Sequence, residues 1–345
     1  MRVALDAQLA GGTATGIGEY VRGLGAALRG IGIDVMSLQS LRVDPWRFDR
    51  RVLWDQVLLP LAAARAGVDL LHCASGTMPL VGRLPVVATV HDVAWLRVQA
   101  HARPYARAYF GAFALQRYAS ARRIMVDSAF SRDELIAVLP PVARRIDVVY
   151  PGVATDVMGV TRVLAREPYV LAVGTVERRK NLAVTIRALA RVPGLRLVAI
   201  GPLTPYARHC RELASELGVS DRLELRGYVP RAEVLALYGG ALACVVPSHY
   251  EGFGYGVAQA LCAGAPTIAA RTSSLPEVAD GDATLVDADD VAAWARALAG
   301  VLRDPAGAQR RATEARARAH VRFAWASSAR AAADVYARAL AGVSR

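Results

Sequence analysis

The chain has 345 residues, of which 54% are hydrophobic and 21% charged, and its formal charge is +12. That length suits two domains better than one, and the apolar fraction fills two cores and excludes a disordered chain. The four cysteines, Cys73, Cys210, Cys244 and Cys262, form no C-x-x-C pair, which argues against a zinc site or a disulfide framework and for a reducing compartment.

The amino-terminal MRVALDAQLAGG runs straight into a strand pattern and lacks the regions of a signal peptide. Strands are expected at 3–6, 34–38, 70–73, 86–90, 124–126 and 146–149, with helices such as 18–29 and 104–120 between them. The longest apolar run, 57–64, contains Pro60 and stops at Arg65, well short of the roughly 18 residues of a membrane helix. A soluble cytoplasmic chain is expected, one that a membrane surface could hold peripherally. Residues 155–168 carry Gly159 and Pro168 without periodicity and read as an interdomain linker.

The pattern then restarts, with strands at 169–173, 195–200, 223–226, 243–246 and 267–269 and helices at 182–190 and 231–238. The tail becomes rich in Ala and Arg and reads as helix. Such β–α alternation predicts an α/β fold of parallel sheets covered on both faces. In sheets of this kind ligands bind at the carboxyl ends of the strands, and two such edges facing each other would form a cleft for two substrates.

Two segments carry chemistry. In YVLAVGTVERRKNL (169–182) a buried strand ends at Gly174, and Arg178, Arg179 and Lys180 follow in the loop. Cations at that edge suit a diphosphate, although the loop alone reads equally as a solvated basic turn. In PSHYEGFGYGVAQALCAGAP (247–266) a strand is followed by the loop EGFG and a helix over 255–262. Gly252 and Gly254 let backbone approach a ligand, and the helix start offers amides to an anion. Glu251 beside a phosphate site makes sense as an acceptor for sugar hydroxyls, and a polar group at residue 259, eight positions on and about one turn into the helix, can face back toward the same ligand.

Together, GTVERRKN and PSHYEGFGYGVAQALCAGAP resemble glycosyltransferase family 4, the group 1 glycosyltransferases. GTATGIGEYVRGL (12–24), ATVHDVAWL (88–96), VDSAFSRDEL (126–135), VVYPGV (148–153), LRGYVP (225–230) and FAWASSARAAADVYARAL (323–340) agree with it. The resemblance implies a GT-B architecture, two Rossmann-like, doubly wound parallel-sheet domains facing across a cleft. Residues 1–154 would bind the acceptor, 169–322 the nucleotide sugar, and 323–345 would cross back to the first domain.

The same resemblance implies roles. Lys180 with Arg179 would hold the donor phosphates, and Glu251 the hydroxyls of the transferred sugar. Gly252, Phe253 and Gly254 would contact sugar and phosphate through their amides, and Gln259 the ribose. Tyr228 and Val229 would lie near the base, Gly16 and Gly18 near the donor diphosphate or acceptor, and His91 near the reacting sugar. The implied reaction retains anomeric configuration and uses no metal and no cofactor beyond the donor. The stretches GIGEY and 53–80 look most like mannosyl- and rhamnosyl-transferring members, so the expected donor is GDP-mannose. The expected acceptor is a saccharide or lipid-linked sugar of surface polysaccharide or lipopolysaccharide synthesis. Two positions depart from the family: Gln259 stands where Glu is usual, and Thr175 where Arg is common.

Other readings are a sugar-nucleotide epimerase or phosphorylase of the same fold, or a basic nucleic-acid-binding or scaffold protein. The positive charge is dispersed arginine without a basic run, so no nucleic-acid partner is expected. DADD (287–290) reads as an N-cap by Asp289 or Asp290 rather than a metal motif. His72, His101, His209 and His320 lack partners at metal-ligand spacing and read as structural. Asp127 and Ser128 with a distant His suggest a hydrolytic triad, but no nucleophile-elbow sequence supports it.

Overall fold

The computed structural model describes residues 1–11, 16–44, 46–94, 109 and 112–341. Residues 12–15 of the first glycine loop, 95–96 of the His-Asp stretch, His101 and most of 104–111 lie outside the described residues. The chain forms two compact units, Met1–Gly152 with Phe323–Arg345, and Val153–Arg322.

In the first unit, strands β1 (Arg2–Asp6), β2 (Asp34–Leu38), β3 (Leu70–Cys73), β4 (Val86–Val90), β5 (Arg123–Val126) and β6 (Ile146–Val148) form a parallel sheet in the order β2-β1-β3-β4-β5-β6. The strands are apolar on both sides because both faces are covered. Val3 and Leu5 meet Tyr20, Leu24 and Leu28 of the helix Gly16–Gly30, and Val335 and Tyr336 of the helix Trp325–Leu340. Ala4, Leu71 and Val90 face the other way, onto Trp54, Leu59 and Leu135. The terminal helix is also tied by polar bonds: Ser328 Oγ donates to the Tyr150 carbonyl at 2.6 Å, and Arg122 donates to the carbonyls of Ala339 and Ala341.

In the second unit, β7 (Tyr169–Val173), β8 (Arg196–Ile200), β9 (Leu223–Gly227), β10 (Ala243–Val246), β11 (Thr267–Ala270) and β12 (Thr284–Val286) form a parallel sheet ordered β12-β11-β10-β7-β8-β9. From β7 the chain first winds outward through β8 and β9, then returns to place β10 on the other side of β7. That reversal opens a crevice at the carboxyl ends of β7 and β10.

The structure differs from the sequence expectations in two places and settles a choice in a third. Residues 155–168, expected as a linker, fold into the second unit: Thr155–Met158 is a helical turn, and Val163 and Ala165 donate backbone bonds to Gly239 and Gly240. The strand Thr284–Val286 has no counterpart in the expectations, because three residues are too few to give a periodic signal. The acidic stretch resolves to Asp290, whose side chain accepts from the Ala293 amide at 2.9 Å and caps Val291–Arg303. Among the described residues no helix is long and apolar enough to cross a membrane.

Candidate active site

The two chemical segments of the second unit meet at the crevice between β7 and β10. After β7 the residues Arg178–Lys180 make a tight 3₁₀ turn, and Asn181 follows in the left-handed region at φ 51°. Asn tolerates that conformation, and its side-chain amide donates to the Ala288 carbonyl at 2.8 Å, which fixes the turn. Arg178 points to solvent while Arg179 and Lys180 are half-buried. Gly174, Thr175, Lys180, Ser248 and Glu251 line one recess.

After β10 the loop folds over the same recess. Gly254 takes φ +97° where the helix Tyr255–Cys262 begins, and a Cβ there would lie 2.7 Å from Leu275 Cδ2, so glycine is required on two counts. Gly252 and Phe253 are buried beside it, and Ser274 Oγ bonds to the carbonyls of Glu251 and Phe253 at 2.9 and 2.8 Å.

Glu251 is the centre of this arrangement. Lys180 Nζ donates to its Oε1 at 2.5 Å, Arg179 Nη1 to its Oε2 at 3.3 Å, and Ser248 Oγ to its Oε1 at 2.7 Å. Burial alone would raise its carboxyl; the charges of Lys180 and then Arg179, with the hydrogen bonds of Lys180 and Ser248, override burial and hold it below its usual range. Arg179 is braced further by the Tyr250 carbonyl at 2.6 Å and Glu177 at 2.8 Å. Tyr238, in the helix Arg231–Gly240, donates its hydroxyl to Gln259 Oε1 at 3.2 Å. Tyr228 and Val229 follow β9, two strands from β7, and Tyr228 is exposed.

In the first unit, Gly16 and Gly18 stand at the start of the helix Gly16–Gly30, Gly16 exposed and Gly18 buried. His91 follows β4. Its Nδ1 lies 2.6 Å from Asp127 Oδ2, and its Nε2 lies 3.0 Å from the Ala74 carbonyl. Burial opposes charge on the ring, but the Asp127 carboxylate, by its charge and its hydrogen bond, pushes the imidazole up to about 9. His72 behaves oppositely: burial and then the His91 charge take it down to about 3, and it is bonded to Tyr336 Oη and Thr89 Oγ1 at 2.7 Å each. Asp127 therefore does have a histidine partner, while Ser128 is spent as an N-cap on the Ser131 amide.

Sequence reasoning missed a buried polar row beside the end of β1. Arg51 donates to Asp55 at 3.0 Å, to Ser75 at 2.5 Å and to Thr77, and Ser75 donates to Asp6 at 2.6 Å. Apart from the Arg51–Asp55 helical pair, its hydrogen bonds join residues 24 or more positions apart, so no local motif announces it. Among the described residues no group of His, Cys, Asp and Glu is placed to hold a metal ion.

Residues 158–337 match the family model for glycosyl transferases group 1, and residues 14–157 that for Glycosyltransferase Family 4. The chain belongs to this glycosyltransferase family. It is 34% identical over 236 residues to a D-inositol 3-phosphate glycosyltransferase of Mycolicibacterium smegmatis, covering 64% of this chain and 54% of that relative. It is 36% identical over 216 residues to one of Xylanimonas cellulosilytica, covering 56% and 52%. The matched stretch thus spans about half the length of these curated relatives.

Among solved structures, sucrose-phosphate synthase from Thermosynechococcus elongatus superposes with a TM-score of 0.78 at 22% identity, covering 98% of each chain. Anabaena HepE in complex with UDP and glucose gives 0.75 at 16%, covering 98% of this chain and 99% of that one. WaaG, a glycosyltransferase involved in lipopolysaccharide biosynthesis, gives 0.72 at 16%, covering 97% and 99%. At these identities the likeness establishes the fold, which is GT-B.

Proposed function

We propose that this family member transfers a hexose from a nucleoside diphosphate sugar to a saccharide or lipid-linked acceptor, with retention of anomeric configuration. The observation that carries the reading is the convergence of Arg179, Lys180 and Glu251 on one recess at the β7–β10 reversal, beside the start of the helix Tyr255–Cys262. As the glycosidic bond breaks, negative charge grows on the diphosphate, and two cations with a helix amino terminus suit that charge. In the proposed cycle the donor diphosphate takes Lys180 from Glu251, which frees the Glu251 carboxylate to accept sugar hydroxyls. The acceptor hydroxyl attacks from the face the leaving group departs, and a donor phosphate oxygen takes its proton. No metal or cofactor is part of the proposal.

GDP-mannose is the proposed donor. Calorimetric titration with GDP, UDP, dTDP and ADP, then with their sugars, tests it. Binding by none of them removes the transferase reading, and preference for UDP corrects the donor. Turnover of donor without acceptor would instead favour an epimerase or phosphorylase.

A second reading concerns the acceptor. The curated relatives are named for D-inositol 3-phosphate, and the chain's charge of +12 suits an anionic acceptor. Assays with a phosphorylated polyol against lipid-linked sugars separate the two. Peripheral contact with an anionic membrane belongs to the lipid-linked arm: Trp46, Leu53, Val57 and Leu61 are exposed, and Arg47 and Arg50 lie among them. Co-sedimentation with anionic vesicles, absent with neutral ones, is the expected result.

A further inference from the structure

Strands β3, β4 and β5 lie side by side, and just beyond the carboxyl end of each stands one member of a bonded row. Val90 is level with Val126, so the next residues, His91 and Asp127, emerge together. Ala74 follows β3 on the opposite side. The row runs from the Ala74 carbonyl to His91 Nε2 at 3.0 Å and from His91 Nδ1 to Asp127 Oδ2 at 2.6 Å. The backbone carbonyl of His91 also accepts from Ser131 Oγ at 3.2 Å, which ties the two loops again.

We propose that Asp127 is a positioning residue that holds His91 as a doubly donating imidazolium and so fixes one positive charge at the carboxyl edge of the first sheet. A carbonyl only accepts, so the Ala74 contact commits a hydrogen to Nε2. An ionised carboxylate also only accepts, so the Asp127 contact commits a second hydrogen to Nδ1. The competing arrangement puts that hydrogen on Asp127 and leaves Nδ1 as an acceptor.

Burial raises the Asp127 carboxyl and opposes charge on His91, while the attraction and hydrogen bond between the two favour the ion pair. The Asp127 side chain is 5% exposed and that of His91 18%, so solvent screens their attraction weakly. Tyr20 meets the His91 ring edge-on at 4.9 Å, and its hydroxyl is turned to Thr89. Among the described residues, the other titratable groups facing His91 are Asp92, next in the chain, which adds negative charge, and His72 from β3, which stays neutral against Tyr336. Asp127 thereby gives His91 a charge that an isolated buried imidazole would shed.

The use of that charge, beside an anionic donor, rests on the transferase reading; the pairing does not. Histidine-labelled protein therefore tests it first, with ¹⁵N NMR of the ring nitrogens and a His91→Gln variant to assign the signals. In the unaltered chain both His91 nitrogens are expected to stay protonated through neutral pH, with a midpoint near 9. In Asp127→Asn, which keeps the shape but not the charge, the midpoint falls by about two pH units or more. A midpoint at or below that of an ordinary histidine in the unaltered chain, or Nδ1 as an acceptor, overturns the proposal whether or not the variant folds.

If the midpoint is as expected, turnover supplies the second readout. Asp127→Asn should lose about tenfold or more in kcat at pH 8 and progressively less toward pH 6, with donor KM nearly unchanged. An equal loss at every pH marks a merely structural role and also overturns the positioning assignment. Absence of any nucleotide-sugar binding would fail the transferase reading while leaving the NMR result standing.

Discussion

At the scale of single residues, Lys180 and Gln259 decide most. Lys180 is tied to Glu251 at 2.5 Å, and a cation so placed contributes most when the departing diphosphate takes it over. Lys180→Ala should therefore lower kcat by about two orders of magnitude or more, measured with a saturating nucleotide sugar. Near-normal turnover would strip Lys180 of that role. The ion pair also has a pH signature. The Glu251 carboxyl is depressed below its ordinary 4.5, so its contribution to stability is present above that value and lost as the pH falls below it. Gln259 is different, since its Oε1 accepts from Tyr238 and its neutral amide lacks the charge with which a carboxylate grips a ribose diol. Gln259→Glu should tighten donor binding in a calorimetric titration, and an unchanged Kd would mean that the ribose is held elsewhere. The meeting of Arg179 and Lys180 with Glu251 was legible in the sequence, because two short loops after buried strands carry them. The Arg51–Asp55–Ser75–Asp6 row was not, because burial and sheet order bring it together rather than spacing.

At the scale of elements, the strands were the most readable feature, since runs such as LLHC and ACVV are buried on both faces. The exceptions are physical. Thr284–Val286 is too short for a period, and 155–168 lacks helical spacing yet is recruited by the edge of another helix. One close approach fixes how β7 and β8 end together. Gly201, at φ +131°, sits where a Cβ would lie 2.3 Å from the Gly174 carbonyl oxygen, and the Gly201 amide donates to the Gly227 carbonyl at 2.7 Å. Gly201→Ala must force these ends apart, and Gly174 lines the recess that holds Lys180. The expected cost is roughly 2–5 kcal/mol, read as a lower denaturation midpoint, together with weaker nucleotide binding. A variant with unaltered stability would show that the two strand ends yield easily.

At the scale of the whole molecule, each unit has its own six-stranded sheet, and ligand linkage gives each an independent readout. A nucleoside diphosphate that binds only the folded second unit stabilises it by about 2.7 kcal/mol at a hundredfold excess over Kd. Hydrogen exchange should then slow at residues 176–182 and 248–256, which flank the recess, and in the strands β7 and β10 behind them. The first unit is the more telling half of the same experiment. The family resemblance puts Gly16 and Gly18 near the donor diphosphate or acceptor, whereas the structure by itself gives only their place at the start of the helix Gly16–Gly30. A nucleoside diphosphate carries both phosphates and no acceptor, so it isolates the donor part of that expectation. Slower exchange at 16–20 on adding GDP or UDP would put this helix start on the donor diphosphate. Protection confined to the second unit would remove Gly16 and Gly18 from the donor site and leave the helix start to the acceptor.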